Sequence, residues 1–287
     1  MPVHKVSGGY RWGKHGKVYK SRAGAERQAR AIYASGYRDD ADELLRAQAR
    51  VDWNSARRAE IQYGIQLRTI ARHCGDIVRM FPMEDPQGAM DAASALRRYA
   101  DTLSPWAEAS ARRMVLDIAA RTDVTWRKLA DEMGRNFRDL FAGESDLTIS
   151  SRYWQLMADQ VTLIRSIPLD GAERIHKLVT EGVVEGVRFT SIASEIQRTY
   201  AVSRSKANLI ARTETGRVIS NLTQARAESA GSPGYVWRTV RDADVRHSHR
   251  MMEGQFVRWD SPPTLDGLTG HAGALPNCRC FSAPIIP

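Results

Sequence analysis

The chain has 287 residues, 43% of them hydrophobic and 26% charged, with 3 cysteines and a formal net charge of +9. That length fits one large core or two to three smaller units, and the composition is that of an ordinary soluble chain with too few cysteines for a disulfide framework. No run approaches the roughly 20 apolar residues that cross a bilayer, and the start, MPVHKVSGGYRWGKHGKVYK, has neither an apolar stretch nor a small-residue cleavage site. The expectation is a protein that stays in the cytosol where it is made, with reduced thiols.

The positive charge is concentrated at the front. Up to Tyr37 the basic residues are Lys5, Arg11, Lys14, Lys17, Lys20, Arg22, Arg27 and Arg30 against Glu26 alone, so about seven of the nine excess charges lie there. Such a segment suits a polyanionic partner, either nucleic acid or an acidic protein surface. YRW and KVYK flank Gly13-Lys14-His15-Gly16, which is hairpin chemistry, and Ser21 opens the helix SRAGAERQARAIYASGY, stopped at Gly36. The predicted unit is ββα. Its aromatics, Tyr10, Trp12 and Tyr19, could stack on bases while Arg11, Lys14, Lys17, Lys20 and Arg22 meet phosphates. The plainer reading makes those rings the core of a module too small to stand without them.

From Asp40 to about Phe81 apolar residues such as Leu44, Val51, Ile61, Ile65, Ile70 and Ile77 recur at three- and four-residue steps, predicting a helix that PMEDPQG breaks. Cys74, inside RTIARHCGDIVRMF, reads as a small hydrophobe of that helix. A shorter helix covers roughly Ala89 to Leu103, and Ser104-Pro105 caps the next, which is expected to bend at RTDVT, where Asp123 or Thr125 could cap a fresh start. After AGESD, three further helices are expected in SRYWQLMADQVTLIRSI, GAERIHKLVTEGVVEGV and TSIASEIQRTY.

Val202 to Ala230 reads as a long amphipathic helix ended by Gly231, with Ala207, Ile210, Ala211, Val218, Leu222 and Ala225 toward a core. YVWRTV and QFVRW then read as strands, SPPTLDGLTGHAGALP as a Pro/Gly-rich loop, and NCRCFSAPII as a third strand. The predicted fold is mainly α, a helical array with a small C-terminal α+β unit and an N-terminal ββα module. Its expected segments are a basic module at 1–38, helices at 39–200, and the long helix with its β-containing unit at 201–287.

That last segment holds the densest set of ligand-type side chains: Asp242, Asp244, His247, His249, His271, Cys278 and Cys280. If RHSHR is extended, His247 and His249 share a face, as do Cys278 and Cys280, because strand side chains alternate with period two. Two imidazoles and two thiolates form the ligand set zinc prefers, and an ion would stabilise so small a sheet. The single residue between the cysteines is shorter than the usual zinc spacing. In the competing reading the cysteines pack reduced and the histidines hydrogen-bond locally. Glu214 and Arg217, three apart on the long helix like Arg212 and Thr215, could form an acid/base or phosphate-handling site with Asp242 and Arg246. An ion-pair lattice fastening sheet to helix is the preferred reading. GxSxG, HExxH and Walker-type loops are absent.

Three stretches in order, LIARTETGRVISN, YVWRTVRDADVRHSHRMMEGQF and PNCRC, resemble the Mu F-like head-morphogenesis proteins of tailed phages, also called minor capsid or minor head proteins. The matching positions are Arg212-Thr213-Glu214, Trp237, Asp242, Val245-Arg246, Ser248-His249, Glu253-Gly254 and Asn277-Cys278-Arg279-Cys280. His247 falls where that pattern leaves the residue free, so the resemblance favours Asp242 or Asp244 with His249, Cys278 and Cys280 as a metal set. It implies a low-copy virion protein without enzymatic activity that associates with the portal and with capsid or scaffolding protein during procapsid assembly. Its place would be inside the head near the portal, with the host cytoplasm as the site of assembly, and its setting DNA packaging or ejection. Packaged DNA is a further partner, and no membrane is involved. The alternatives are a metal-dependent hydrolase or nuclease in the C-terminal unit and a DNA-binding accessory protein acting through the basic module.

Overall fold

The computed structural model describes residues 3–12, 17–34, 39–83, 85–132 and 146–285. Lys14, the expected Gly13–Gly16 turn and the Gly36 helix stop lie outside them. The fold is mainly α. Its helices are α1 (Arg22–Ala34), α2 (Asp39–Arg79), α3 (Pro86–Thr102), α4 (Ser104–Glu132), α5 (Asp146–Val184), α6 (Phe189–Gln197), α7 (Thr199–Ser229) and α8 (His247–Met251). The strands are β1 (Val3–Val6), β2 (Gly9–Trp12), β3 (Val18–Tyr19), β4 (Gly234–Thr239), β5 (Phe256–Arg258), β6 (Thr264–Leu265), β7 (Leu268–Thr269) and β8 (Cys280–Pro284). Among the described residues, no helix is long and apolar enough to cross a membrane.

The chain divides into two compact units, one comprising Met1–Arg57, Asp117–Ser151 and Thr215–Pro287, the other Arg58–Leu116 and Arg152–Glu214. These spatial units cut across the consecutive segments 1–38, 39–200 and 201–287: the front of the chain and its end share one unit. Sequence order alone could not indicate this, because composition marks segments and packing joins them.

The second unit is helical and packed on small residues. In α3 the buried positions Ala89, Ala92, Ala93, Leu96 and Ala100 follow helical spacing, so one stripe enters the core. Asp85 caps the helix by accepting from Gly88 N at 3.0 Å, and Pro86 occupies its first turn. A side chain at Gly88 would collide with the Pro82 carbonyl. The helix α5 runs through Pro168, where two separate helices are expected from sequence. Ile164 and Ile167 are fully buried there, and the neighbouring carbonyls of Leu163 and Ser166 accept from Ser166 Oγ (2.7 Å) and Lys206 Nζ (3.2 Å). The burial of these isoleucines offsets the cost of the hydrogen bond that proline removes.

The first unit carries both larger sheets. At the front, β1, β2 and β3 form an antiparallel sheet in that order, with Val3 opposite Trp12 and Tyr10 opposite Tyr19. The expected hairpin and helix are present, and VHKV adds a strand at the edge, making the module βββα; a run this short and half polar carries little strand signal by itself. Ser21 accepts from Gly24 N at 3.2 Å at the start of α1. In the C-terminal sheet the order is β5-β4-β8, antiparallel throughout, and every residue of β4 is buried. One face of β4, with Tyr235 and Trp237, packs against Trp126, Ala227, Val257 and Trp259. The other face, with Val236, Ala283 and Ile285, is covered by Trp12 and Ala29 of the front module. Trp12 is therefore a core residue, unavailable for base stacking.

The expected bend at RTDVT does not occur, and α4 continues to Glu132. Thr122 and Thr125 turn their hydroxyls back onto carbonyls of their own helix, Ile118 at 3.0 Å and Arg121 at 3.2 Å, and Asp123 pairs with buried Arg226 of α7. Inside the Pro/Gly-rich loop, β6 and β7 form a tight hairpin over Asp266 (φ 52°) and Gly267 (φ 78°). Asp-Gly suits this turn because both central residues need positive φ, a signal legible in LDGL.

Candidate metal centre

Three side chains of the first unit converge: His249, Cys278 and Cys280 place a ligand atom each within 4.8 Å of one another. His249 Nδ1 lies 3.4 Å from Cys278 Sγ and 3.5 Å from Cys280 Sγ. A zinc ion with the usual Zn–N and Zn–S bond lengths at tetrahedral angles sets nitrogen and sulfur about 3.6 Å apart, so these separations fit the ion. One imidazole and two thiols form a donor set that suits zinc.

The local sequence explains how each ligand arrives. His249 sits on α8, so RHSHR is helical where an extended run is expected. Residues two apart on a helix differ by about 200°. His247 accordingly stands exposed while His249 is buried, and His247 is no part of the cluster. Cys278 lies in the turn before β8, after Asn277 at φ 52°, and Cys280 is the first residue of the strand. The two cysteines meet one histidine through this turn and not through strand alternation.

The remaining motif residues hold that arrangement. Asp242 is outside the cluster; it pairs with Arg279 and accepts from Asp244 N at 3.2 Å. Arg246 donates to the Pro276 carbonyl, fixing the chain just ahead of Asn277. Ser248 Oγ donates to Asp266 at 2.7 Å, tying α8 to the β6–β7 turn. Glu253 accepts from Thr239 N at 2.7 Å and from Arg241 at 2.9 Å, and Gly254, at φ 78°, donates to the Trp237 carbonyl at 2.9 Å. Trp237 itself is fully buried and meets the His249 ring edge-on at 5.7 Å. Gly216 of α7 lets the loop approach: a Cβ there would lie 2.8 Å from the Gly273 carbonyl oxygen. Gly273 in turn donates its N–H to Cys278 Sγ at 3.4 Å. That contact ties the long helix to the cluster, and the Gly after Arg-Thr-Glu-Thr is the signal that could have revealed it.

The electrostatics favour one thiolate. Hydrogen bonding from the Cys280 thiol, then from His249 and the Gly273 N–H, overcomes burial and lowers the Cys278 thiol below its ordinary value. Cys280 is pushed upward, first because it donates to that thiolate and then by burial. His271 stays apart from the cluster; its Nδ1 lies 3.2 Å from Tyr235 Oη, and burial holds it below the ordinary histidine value.

Glu214 and Arg212 belong to the helical unit. Buried Glu214 accepts from Gln160 Nε2 at 2.8 Å, Gln160 accepts from Tyr63 Oη at 3.0 Å, and Arg212 Nε lies 3.6 Å from Glu60. At the front, Lys17 Nζ lies 5.8 Å from the Tyr19 ring centre, Arg22 pairs with Glu26 at 2.8 Å, Lys20 is exposed and Arg11 is half-buried.

Residues 173–283 match the family described as Phage Mu protein F like protein. The C-terminal region of this chain is thus a Mu F-like region. The motif positions Arg212 through Cys280 all fall within the match. Among curated relatives, an uncharacterized protein of Haemophilus influenzae is 30% identical over 48% of this chain and 30% of its own length. The minor head protein GP7 of Bacillus phage SPP1 is 27% identical over 44% of this chain and 46% of its own. The NAD(+)–arginine ADP-ribosyltransferase EFV of Enterococcus faecalis is 29% identical over 40% of this chain and 26% of its own. The chain therefore spans less than half the length of each of these relatives. No solved structure matches it.

Proposed function

We propose that the protein is a phage minor head protein that associates with the portal and takes part in procapsid assembly. Its place is inside the head near the portal, and it works in DNA packaging or ejection after assembly in the host cytoplasm. The observation that carries this reading is the Mu F-like match at residues 173–283, joined to the likeness to a phage minor head protein. Capsid or scaffolding protein and packaged DNA are its further partners, the latter met through exposed cations of the front module such as Lys5, Lys20, Arg27 and Arg30. Heads purified from a producing infection are expected to carry a few copies per particle, and portal should co-purify with the chain before packaging. Particles and procapsids that lack it altogether would overturn the reading.

In this reading the C-terminal unit is architectural, with zinc held by His249, Cys278 and Cys280 as its cofactor. Their exposures of 1%, 5% and 1% place such an ion inside the fold, which supports a structural role, while three protein ligands leave its fourth position to water. The chain then acts without catalysis. Elemental analysis of the purified protein should find about one zinc per chain.

A further inference from the structure

Within the helical unit, α4 and α5 border an apolar trough of about 830 Å³. Leu116 lines it from α4, and Trp154, Met157 and Val161 line it from α5 at helical spacing. The trough is a surface feature: Trp154 is 70% exposed and Leu116 46%. Small-ligand pockets enclose most of their guest, whereas an open trough bordered by two helices suits the ridge of a third. Along α4 the lining runs from Pro105 to Leu116, about three turns or roughly 16 Å of helix. Arg112 and Arg113 stand exposed on the same lining. Among the described residues, neither has a carboxylate within ion-pairing distance. Glu108 lies on the same wall one turn before Arg112 without pairing to it, so the rim carries two guanidinium groups against one carboxylate, and such an edge favours an apolar helix whose flank is mainly acidic.

We propose that this groove docks an amphipathic helix of another protein, its apolar face against Leu116, Trp154, Met157 and Val161 and its Asp or Glu side chains against Arg112 and Arg113. The minor-head reading enters only in saying where the partner is met, among the components of an assembling head.

The test places a photo-crosslinking amino acid at Trp154 of the full chain in cells producing heads and sequences the captured peptide. The expected product is an acidic, helix-forming amphipathic segment of a different head component. Arg112→Glu with Arg113→Glu should cut the yield at least tenfold, with an unchanged melting temperature confirming that these exposed changes leave the fold intact. Acid-to-Lys changes in the captured segment should restore it. Crosslinks to a second copy of this chain, to no protein, or to a segment without acidic flanks would each overturn the proposal, as would a yield indifferent to the charge reversal. Counting chains per head separates the two ideas. A head that contains the protein but yields no such crosslink removes the groove alone, and a head without the protein removes the minor-head reading while the crosslink still judges the groove.

Discussion

Two buried cysteines, one in each compact unit, behave in opposite ways. Cys74 is fully buried in the helical unit, and that burial pushes its thiol up to about 12. Cys278, in the sheet-bearing unit, is nearly as inaccessible, yet its thiol is shifted downward because Cys280, His249 and the Gly273 N–H all point at its sulfur. Burial alone favours the neutral thiol, and burial among convergent donors favours the thiolate. The first cysteine packs as a hydrophobe; the second is poised to ligate an ion.

The largest effect that could break this contrast is metal removal. Apparent binding free energies for structural zinc in small domains are about 10–16 kcal/mol at neutral pH, and part of that should appear as a fall in melting temperature on chelation. Cys278→Ala should abolish the zinc-dependent increment and Cys74→Ala should leave it in place. A protein that purifies without zinc and ignores chelator would reduce the cluster to a hydrogen-bonded thiol pair. Trp12→Ala should cost about 3–5 kcal/mol in urea unfolding, since it opens a cavity over Val236, Ala283 and Ile285. Were the front module independent of the sheet, that variant would leave the C-terminal unit's stability unchanged. Gly216→Ala presses a methyl group against the Gly273 carbonyl and should cost about 1–3 kcal/mol. It should also weaken zinc binding, because Gly273 donates to Cys278.

The smallest expected effect is a pH dependence from His271, whose value lies below its ordinary 6.5 because of burial. The unfolded chain then takes up the proton first, so this contribution to stability is complete above pH 6.5 and is lost as pH falls from there through the lower folded value. His271→Gln, which keeps an acceptor for Tyr235, should flatten that part of the profile in urea titrations at stepped pH. An unaltered slope would place the proton uptake elsewhere.

Much of the candidate site was legible in the chain. His249, Cys278 and Cys280 stand out as ligand types gathered near one end, and Trp237, Arg246, Gly254 and Asn277 mark the same region by resemblance. The stereochemical reason offered by the pattern was nevertheless different from the one realised. His247 and His249 were expected on one face of an extended run, and α8 turns them apart. Asp242 was expected as a ligand and instead pairs with Arg279. Short polar segments such as RHSHR carry no hydrophobic period, so local sequence does not distinguish one helical turn from a strand.

The helices show the same division. The stripe of α3 and the cap at Asp85 are written in the residues, whereas continuity through Pro168 depends on the burial of Ile164 and Ile167. By itself the sequence determined the mainly helical character, the strand-forming runs and the chemical types able to bind metal, because these follow from nearest-neighbour periodicity and side-chain chemistry. Tertiary structure alone decided that the front module covers the second face of β4, that one histidine and not two meets the cysteines, and that α4 and α5 leave an apolar trough edged by arginine. Those outcomes depend on contacts between residues far apart in the chain, which no local pattern encodes.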